Sequence, residues 1–136
     1  MNNKNHPKAK GEKTQAIVLA ELIKRDYVVL LPFGDNQRYD FVIYENEKFI
    51  RAQCKTGTYL DGCVKFNTCS TYSNYRGWHK RDYKGDIDIF LVYSYEMDKV
   101  YKISIEDVGV SSTKLRVETP KKITETIKWA KNYELL

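Results

Sequence analysis

The sequence predicts an α/β or α+β domain built on a mixed central sheet that is flanked by helices. Three observations support this fold class. A helical pattern opens the chain, apolar runs separated by turn residues follow it, and a second helical pattern lies near the C-terminus. The 136 residues suffice for one domain with a sizeable core. We expect a flexible basic tail over residues 1–9 and a single domain over residues 10–136.

The predicted elements follow one another without internal repeats. The first helix is expected to begin at Gly11 and to end near Asp26, and the second to cover residues 124–133. The apolar stripe of the first helix consists of Ala16, Leu19, Ala20, Leu22 and Ile23. The predicted strands cover residues 27–33, 39–44, 48–55, 63–66, 87–95 and 100–103. The first of these is expected to be buried. A loop is expected over residues 56–62, and residues 70–84 follow no regular pattern.

Composition restricts the partners and the compartment. The net charge of +5 suits a polyanionic partner. No apolar run is long enough to cross a bilayer, and the polar N-terminus lacks the apolar stretch of a signal peptide. We therefore expect a cytoplasmic protein that binds no membrane. Its three cysteines form no C-x-x-C pair, so free thiols are expected rather than a zinc site.

A hairpin between the second and third strands would bring three polar side chains together. If Asn46 and Glu47 form a two-residue turn, the numbers of facing residues sum to a constant, and Asp40 faces Gln53. Facing residues share one side of a sheet, with Cβ atoms about 5 Å apart. Lys55, two residues beyond Gln53, shares that side. The opposite side receives Phe41, Ile43, Ile50, Ala52 and Cys54, which are all apolar.

This combination suits metal-assisted phosphate chemistry. Hard cations such as Mg²⁺ prefer oxygen ligands, which Asp40, Gln53 and the backbone carbonyl of Cys54 can supply. Lys55 can orient or deprotonate a water and stabilise charge on a phosphate. The simpler alternative is a partly exposed Asp40–Lys55 salt bridge on a sheet surface.

The motifs resemble a known family. The segments Arg38-Tyr39-Asp40 and Gln53-Cys54-Lys55-Thr56-Gly57 resemble the core of PD-(D/E)XK nucleases, and most closely the group I intron-associated homing endonucleases, which use Gln where most relatives have Asp or Glu. Tyr83, Asp88, Phe90, Val92 and Tyr93 are similar to that group as well. Tyr39 stands where the proline of the family name would be.

The resemblance implies a homing-type endonuclease that hydrolyses double-stranded DNA with Mg²⁺, for which Mn²⁺ can substitute. Asp40, Gln53, Lys55 and Glu12 would be catalytic, with Glu12 approaching the metal from the N-terminus of the opening helix. The metal ligands would be Asp40, Gln53, Glu12 and the Cys54 carbonyl. So small a chain is expected to act as a homo-oligomer, either a dimer or a tetramer. Two alternatives remain open: a Holliday-junction resolvase, and a non-catalytic DNA-binding module with the same fold.

The densest basic and aromatic stretch is the expected DNA contact. Its basic members are Arg76, His79, Lys80, Arg81 and Lys84. A solvated basic loop is the alternative. Asp35 is a rival metal ligand, although its Gly-Asp-Asn context favours a turn. Asp88 is expected to have a structural role.

Overall fold

The structure, a computed structural model, describes residues 6–136 as one α-helix followed by nine strands. The elements are α1 (Pro7–Lys24), β1 (Val28–Leu30), β2 (Phe41–Glu45), β3 (Lys48–Leu60), β4 (Cys63–Asn67), β5 (Cys69–Asn74), β6 (Gly77–Asp82), β7 (Ile89–Ser94), β8 (Lys99–Ser104) and β9 (Ser112–Arg116). Seven strands form one sheet in the order β1-β2-β3-β4-β9, with β7 pairing β3 and β8. The β3–β7 pair is parallel and the others are antiparallel, so the sheet is mixed, as predicted. β5 and β6 form a separate two-stranded sheet.

Helix α1 begins four residues earlier than predicted. His6 caps it, with Nδ1 accepting from the Lys8 backbone N–H at 3.3 Å, and Pro7 occupies the first turn, where a missing N–H costs nothing. Residues 7–9 of the predicted tail are therefore helical, and residues 1–5 lie outside the described part of the chain. The predicted apolar stripe is largely wrong. The buried residues are Thr14, Val18 and Leu22, whereas Ala16, Ala20 and Ile23 are exposed.

The predicted β2–β3 hairpin is confirmed in its turn and its register. Asn46 and Glu47 have φ values of 52° and 62°, the left-handed pair of a type I′ turn. Glu45 lies opposite Lys48, and the register continues to Phe41 opposite Ala52. The apolar side packs on α1 in one core, which contains Val18, Leu22, Phe41, Ile43, Ala52, Cys54 and Leu91. The other side faces a second core, which contains Val64, Phe66, Tyr83, Phe90, Val92, Ile103 and Leu115.

Strand β3 continues to Leu60, so the predicted loop over residues 56–62 is wrong. Gly57 favoured a loop in the sequence prediction, but in the structure its lack of a side chain lets Val64 and Val92 pack against the strand. A Cβ at this position would lie 2.5 Å from Val64 Cγ1 and 3.1 Å from Val92 Cγ1. The chain turns instead at Asp61 and Gly62, which both have positive φ. The extension carries β4 and β9 over the second core.

Four other sequence expectations are corrected. The strand predicted over residues 27–33 is the short edge strand β1, and two of its three residues are exposed. The segment without a regular pattern is the β5–β6 hairpin, and β9 was not predicted at all. The helix predicted over residues 124–133 is absent from the described chain except for a 3₁₀ turn at Ala130–Asn132.

The C-terminal segment forms no α-helix because it completes the backbone hydrogen bonding of two strands. The Arg116 N–H donates to the Lys128 carbonyl at 2.7 Å, the Lys102 N–H to the Tyr133 carbonyl at 2.7 Å, and the Leu135 N–H to the Val100 carbonyl at 2.9 Å. A helix would satisfy its own backbone groups and leave these strand edges open.

The three cysteines, Cys54, Cys63 and Cys69, are buried and free, as predicted. No helix of the described residues is long and apolar enough to cross a membrane.

Candidate active site

Asp40 lies at the start of the β2–β3 hairpin, where two hydrogen bonds hold it against β3. Its backbone N–H donates to the Ala52 carbonyl at 2.8 Å, and its Oδ2 accepts from the Cys54 backbone N–H at 2.8 Å. Burial raises the pKa of Asp40, while the Cys54 N–H and the charge of Lys55 act in the opposite direction. The carboxylate is therefore partly desolvated and held by the backbone through Oδ2.

The Cys54 carbonyl and the Gln53 side-chain amide adjoin the residue that binds this carboxylate. In a strand, the N–H and C=O of one residue point to the same edge, so the Cys54 carbonyl points toward the edge where its N–H meets Asp40. The Gln53 side chain reaches the same place, with Nε2 3.4 Å from the Cys54 carbonyl oxygen. The amide oxygen of Gln53 can replace Nε2 by a rotation of the terminal torsion.

These donors fit a hard cation. A carboxylate, a backbone carbonyl and a side-chain amide supply oxygen only, which is the donor set that Mg²⁺ and Ca²⁺ prefer. The described residues contain no group of three or more His, Cys, Asp or Glu side chains able to hold a metal. A metal at this place would therefore depend on a single carboxylate and on neutral oxygens.

Lys55 is held by an aromatic ring instead of by the acid. Its Nζ donates to the Tyr83 hydroxyl at 3.2 Å and lies 4.9 Å from the centre of that ring. None of the ion pairs in the described chain joins Lys55 to Asp40, so the simple salt bridge considered for this sheet face does not form. The ammonium is thus placed near the carboxylate without being neutralised by it.

Arg38 connects the Tyr83 ring to the β5–β6 hairpin. Its guanidinium stacks on Tyr83 with Cζ 3.9 Å from the ring centre, and Nη1 donates to Asp86 Oδ2 at 2.6 Å. It also bonds the base of the β5–β6 hairpin, through Ser70 Oγ at 2.8 Å, the Arg81 carbonyl at 3.3 Å and the Asp82 carbonyl. The Arg38 side chain therefore connects the Arg38-Tyr39-Asp40 motif with the Tyr83 ring, which holds Lys55, and with the β5–β6 hairpin.

Neither Arg38 nor the Tyr83 hydroxyl was predicted to have a role in the site. Arg38 was predicted only as part of the Arg38-Tyr39-Asp40 motif, and Tyr83 only as part of the family resemblance and of the basic and aromatic stretch. Their contacts span 28 to 48 positions along the chain, which no local spacing indicates.

The predicted DNA-contact residues lie on or next to the β5–β6 hairpin. Tyr75 and Arg76 form its two-residue tip, because Asn74 pairs with Gly77. His79 lies opposite Tyr72, and their rings stack at 5.2 Å. Lys80 and Arg81 continue along β6, and Lys84 follows in an exposed turn. Tyr75 is 89% and Trp78 is 79% exposed, so the hairpin presents unburied aromatic rings together with its cations.

Glu12 lies on α1, and no contact with the residues around Asp40 is observed for it among the described residues. It belongs to the second turn of α1, and the first turn holds no acid. Thr14 faces β3, with Oγ1 2.7 Å from Thr56 Oγ1. Residues two apart on a helix point to different sides, so Glu12 is directed away from that contact. Its catalytic role stays a prediction.

The remaining acids have other surroundings. Asp35 lies exposed in a turn after β1. Asp86 pairs with Arg38 at 2.6 Å and with Arg81 at 3.5 Å. Asp88 accepts from the Arg51 backbone N–H at 2.8 Å and bonds the Arg51 guanidinium, which agrees with the predicted structural role.

Comparison with known proteins establishes the family. The family model described as PD-(D/E)XK endonuclease matches residues 5–136. The chain belongs to the PD-(D/E)XK endonuclease family. A solved structure titled as a bacterial homing endonuclease, I-Ssp6803I, matches with a TM-score of 0.77 and 25% sequence identity, over 96% of this chain and 89% of that chain. No curated protein matches the sequence. The predicted family and its nuclease fold are thus confirmed.

Proposed function

We propose that this endonuclease is a Mg²⁺-dependent, site-specific enzyme of the homing type, which hydrolyses phosphodiester bonds in double-stranded DNA. The observation that carries the proposal is the grouping of the Asp40 carboxylate, the Cys54 carbonyl and the Gln53 amide beside an unpaired Lys55. The family membership and the similarity to a bacterial homing endonuclease support the same reaction class.

The residues of the site would have different roles in hydrolysis. Asp40, Gln53 and the Cys54 carbonyl would hold Mg²⁺, which when bound neutralises phosphate charge and lowers the pKa of a coordinated water. Lys55 would orient the attacking water and stabilise the negative charge that builds on the phosphate. Tyr83 keeps the Lys55 ammonium in place through its hydroxyl. Glu12 would join the metal site if the start of α1 turns toward it when DNA binds.

The β5–β6 hairpin would hold the substrate. A two-stranded ribbon fits the major groove of B-DNA, and its cations can neutralise phosphates. We propose Arg76, His79, Lys80, Arg81 and Lys84 as DNA contacts. A chain of this size covers a short stretch of duplex, so a homo-oligomer, either dimer or tetramer, would recognise a longer site.

Digestion of long DNA tests the proposal. Purified protein is incubated with linear genomic DNA in Mg²⁺, in Mn²⁺ and in EDTA, and the new ends are sequenced. We expect cleavage at few sites with either cation and none in EDTA. A synthetic four-way junction and a linear duplex of the same arms form a second pair of substrates. Faster cutting of the junction would identify a resolvase, and binding without any divalent-dependent nicking would identify a non-catalytic module.

A further inference from the structure

A second basic surface lies away from the candidate active site, on the outer side of β4 and β9. The inner side of these strands packs Val64, Phe66 and Leu115 into the second core. Because side chains alternate along a strand, Lys65, Lys114 and Arg116 point outward. The C-terminal segment adds Lys122 and Lys128 beside them. We name these five residues the β4–β9 basic face.

Two lysines of this face lie directly opposite each other. Lys65 pairs with Lys114 in the β4–β9 register, and both side chains are exposed. Like charges in facing positions destabilise a sheet. No ion pair in the described chain involves Lys65, Lys114, Lys122 or Lys128. The fold therefore places positive charge here at a cost in stability, and no ion pair offsets the charge of these four lysines.

The face is concave. A cleft of about 430 Å³ lies between β9 and the C-terminal segment, and no acidic residue lines it. Its polar lining consists of the cations Lys114, Arg116, Lys122 and Lys128 together with serine and threonine hydroxyl groups. A neighbouring cleft of about 340 Å³ extends the surface to Lys65, and Asp61 is the single acidic residue in its lining. Cations and hydroxyl groups are the side chains that contact phosphate oxygens in protein–DNA complexes.

The basic face is continuous with the β5–β6 hairpin. Lys80 Nζ on the hairpin lies 3.5 Å from Ser111 Oγ, immediately before β9 begins. The Ser111 carbonyl accepts from the Thr68 N–H at 3.0 Å, just before the hairpin begins. From Ser112 to Arg116 the strand then runs about 13 Å, which matches about four base pairs of duplex.

We infer that the β4–β9 basic face binds the phosphate backbone of the DNA flank that extends beyond the β5–β6 hairpin. This inference rests on the proposed function, because it takes the duplex held by the hairpin as its starting point. The face contributes affinity and footprint without touching the scissile phosphate. It reads no base sequence, since phosphate contacts carry none directly.

A charge-matched pair of variants tests the inference. One protein carries Lys65→Gln, Lys114→Gln and Lys128→Gln, and the control carries Lys8→Gln, Lys24→Gln and Lys48→Gln, which removes the same charge from α1 and the β2–β3 turn. Cleavage of long DNA gives kcat and KM, and binding of a duplex of about 40 base pairs over a salt series gives the salt slope. We expect the basic-face variant to raise KM about tenfold, to keep kcat, and to lower the salt slope by about 2 to 3, with little change in the control.

The outcomes separate the two proposals. An unchanged KM and salt slope, or an equal change in the control, would overturn the basic-face inference while wild-type cleavage still supports the proposed function. Wild-type protein that binds the duplex but never cleaves it would reject the proposed function, and the salt slopes would still decide whether the face contacts DNA. Free phosphate is an alternative ligand for the cleft, and it is tested by adding millimolar inorganic phosphate. If phosphate raises the melting temperature of the wild type but not of the basic-face variant, while both proteins bind DNA with equal affinity, the cleft binds free phosphate and the inference is overturned.

Discussion

The candidate active site around Asp40, Gln53 and Lys55, here called the sheet site, and the β5–β6 hairpin hold their polar side chains in opposite ways. At the sheet site, the backbone of a central strand fixes the carboxylate, since the Cys54 N–H binds Asp40 and the same residue directs its carbonyl to that place. On the hairpin, most side chains are exposed and no apolar core lies beneath them. Chemistry requires geometry fixed to within a fraction of an ångström, whereas phosphate contacts tolerate adjustment. Under the proposed function, the buried sheet positions would carry the catalytic groups and the exposed hairpin would carry the DNA contacts.

Arg38 and Tyr83 lie where the two regions meet. Arg38 binds the base of the hairpin and stacks on Tyr83, and Tyr83 receives the hydrogen bond of Lys55. These contacts connect the hairpin to Lys55 through two side chains. Variants can separate catalysis, DNA binding and this connection.

Asp40→Asn should have the largest effect. The amide keeps the size of the side chain and can still accept from the Cys54 N–H, but it removes the single carboxylate of the site. Loss of several kcal/mol of metal-dependent charge stabilisation corresponds to cleavage slower by about a thousandfold or more. DNA affinity should be equal or higher, because a negative charge is removed. Single-turnover cleavage and duplex binding measure the two effects. Cleavage at the wild-type rate would reject the site assignment.

A triple variant of the β5–β6 hairpin should lose DNA affinity and keep most of its cleavage rate. Replacement of Arg76, Lys80 and Arg81 by Ala removes three phosphate contacts, which should weaken duplex binding about a hundredfold at moderate salt and lower the salt slope by about 3. The melting temperature should change little, since these side chains are exposed. Saturating DNA should restore most of the cleavage rate. Unchanged affinity would instead favour a solvated loop with no role in binding.

Prediction from the sequence succeeded for the β2–β3 hairpin and its register because the information there is local. The turn residues Asn46 and Glu47 fix the register, and the register places Asp40, Gln53 and Lys55 on one sheet side without any knowledge of the rest of the fold. It failed where distant partners decide the structure. Gly57 continues a strand because Val64 and Val92 lie against it, and residues 124–133 form no α-helix because their backbone groups pair with two strand edges. The hairpin lacks apolar alternation, so no strand pattern was visible in it.

Tyr83→Phe tests the link. The ring, and with it the Arg38 stacking, is retained, but Lys55 loses the hydroxyl that accepts its hydrogen bond. A hydrogen bond to a charged group contributes about 1.5 to 3 kcal/mol, so kcat should fall about tenfold or somewhat more. KM should stay near its wild-type value, because the hairpin is untouched.

The matched control is Tyr93→Phe. Tyr93 donates its hydroxyl to Asp98 Oδ1 at 2.6 Å, and this bond raises the pKa of Tyr93 to about 12. Its side chain belongs to the core beneath α1 rather than to the site. This variant therefore loses a comparable hydrogen bond and should cleave normally. Equal losses of kcat in both variants would show a general effect on stability instead of a position-specific effect on Lys55.

Substitutions at Gln53 should give the smallest and most specific effect. An amide oxygen is a neutral and weaker ligand for a hard cation than a carboxylate. Gln53→Glu places a second negative charge beside Asp40, and Mg²⁺ binding would relieve the repulsion between them. The Mg²⁺ concentration for half-maximal cleavage should therefore fall by about threefold to tenfold. Gln53→Leu keeps the bulk without an oxygen and should raise it. The measurement is the cleavage rate as a function of Mg²⁺ concentration for the wild type, Gln53→Glu and Gln53→Leu. Coincident curves would mean that Gln53 is not a ligand and that Asp40 and the Cys54 carbonyl hold the metal without it.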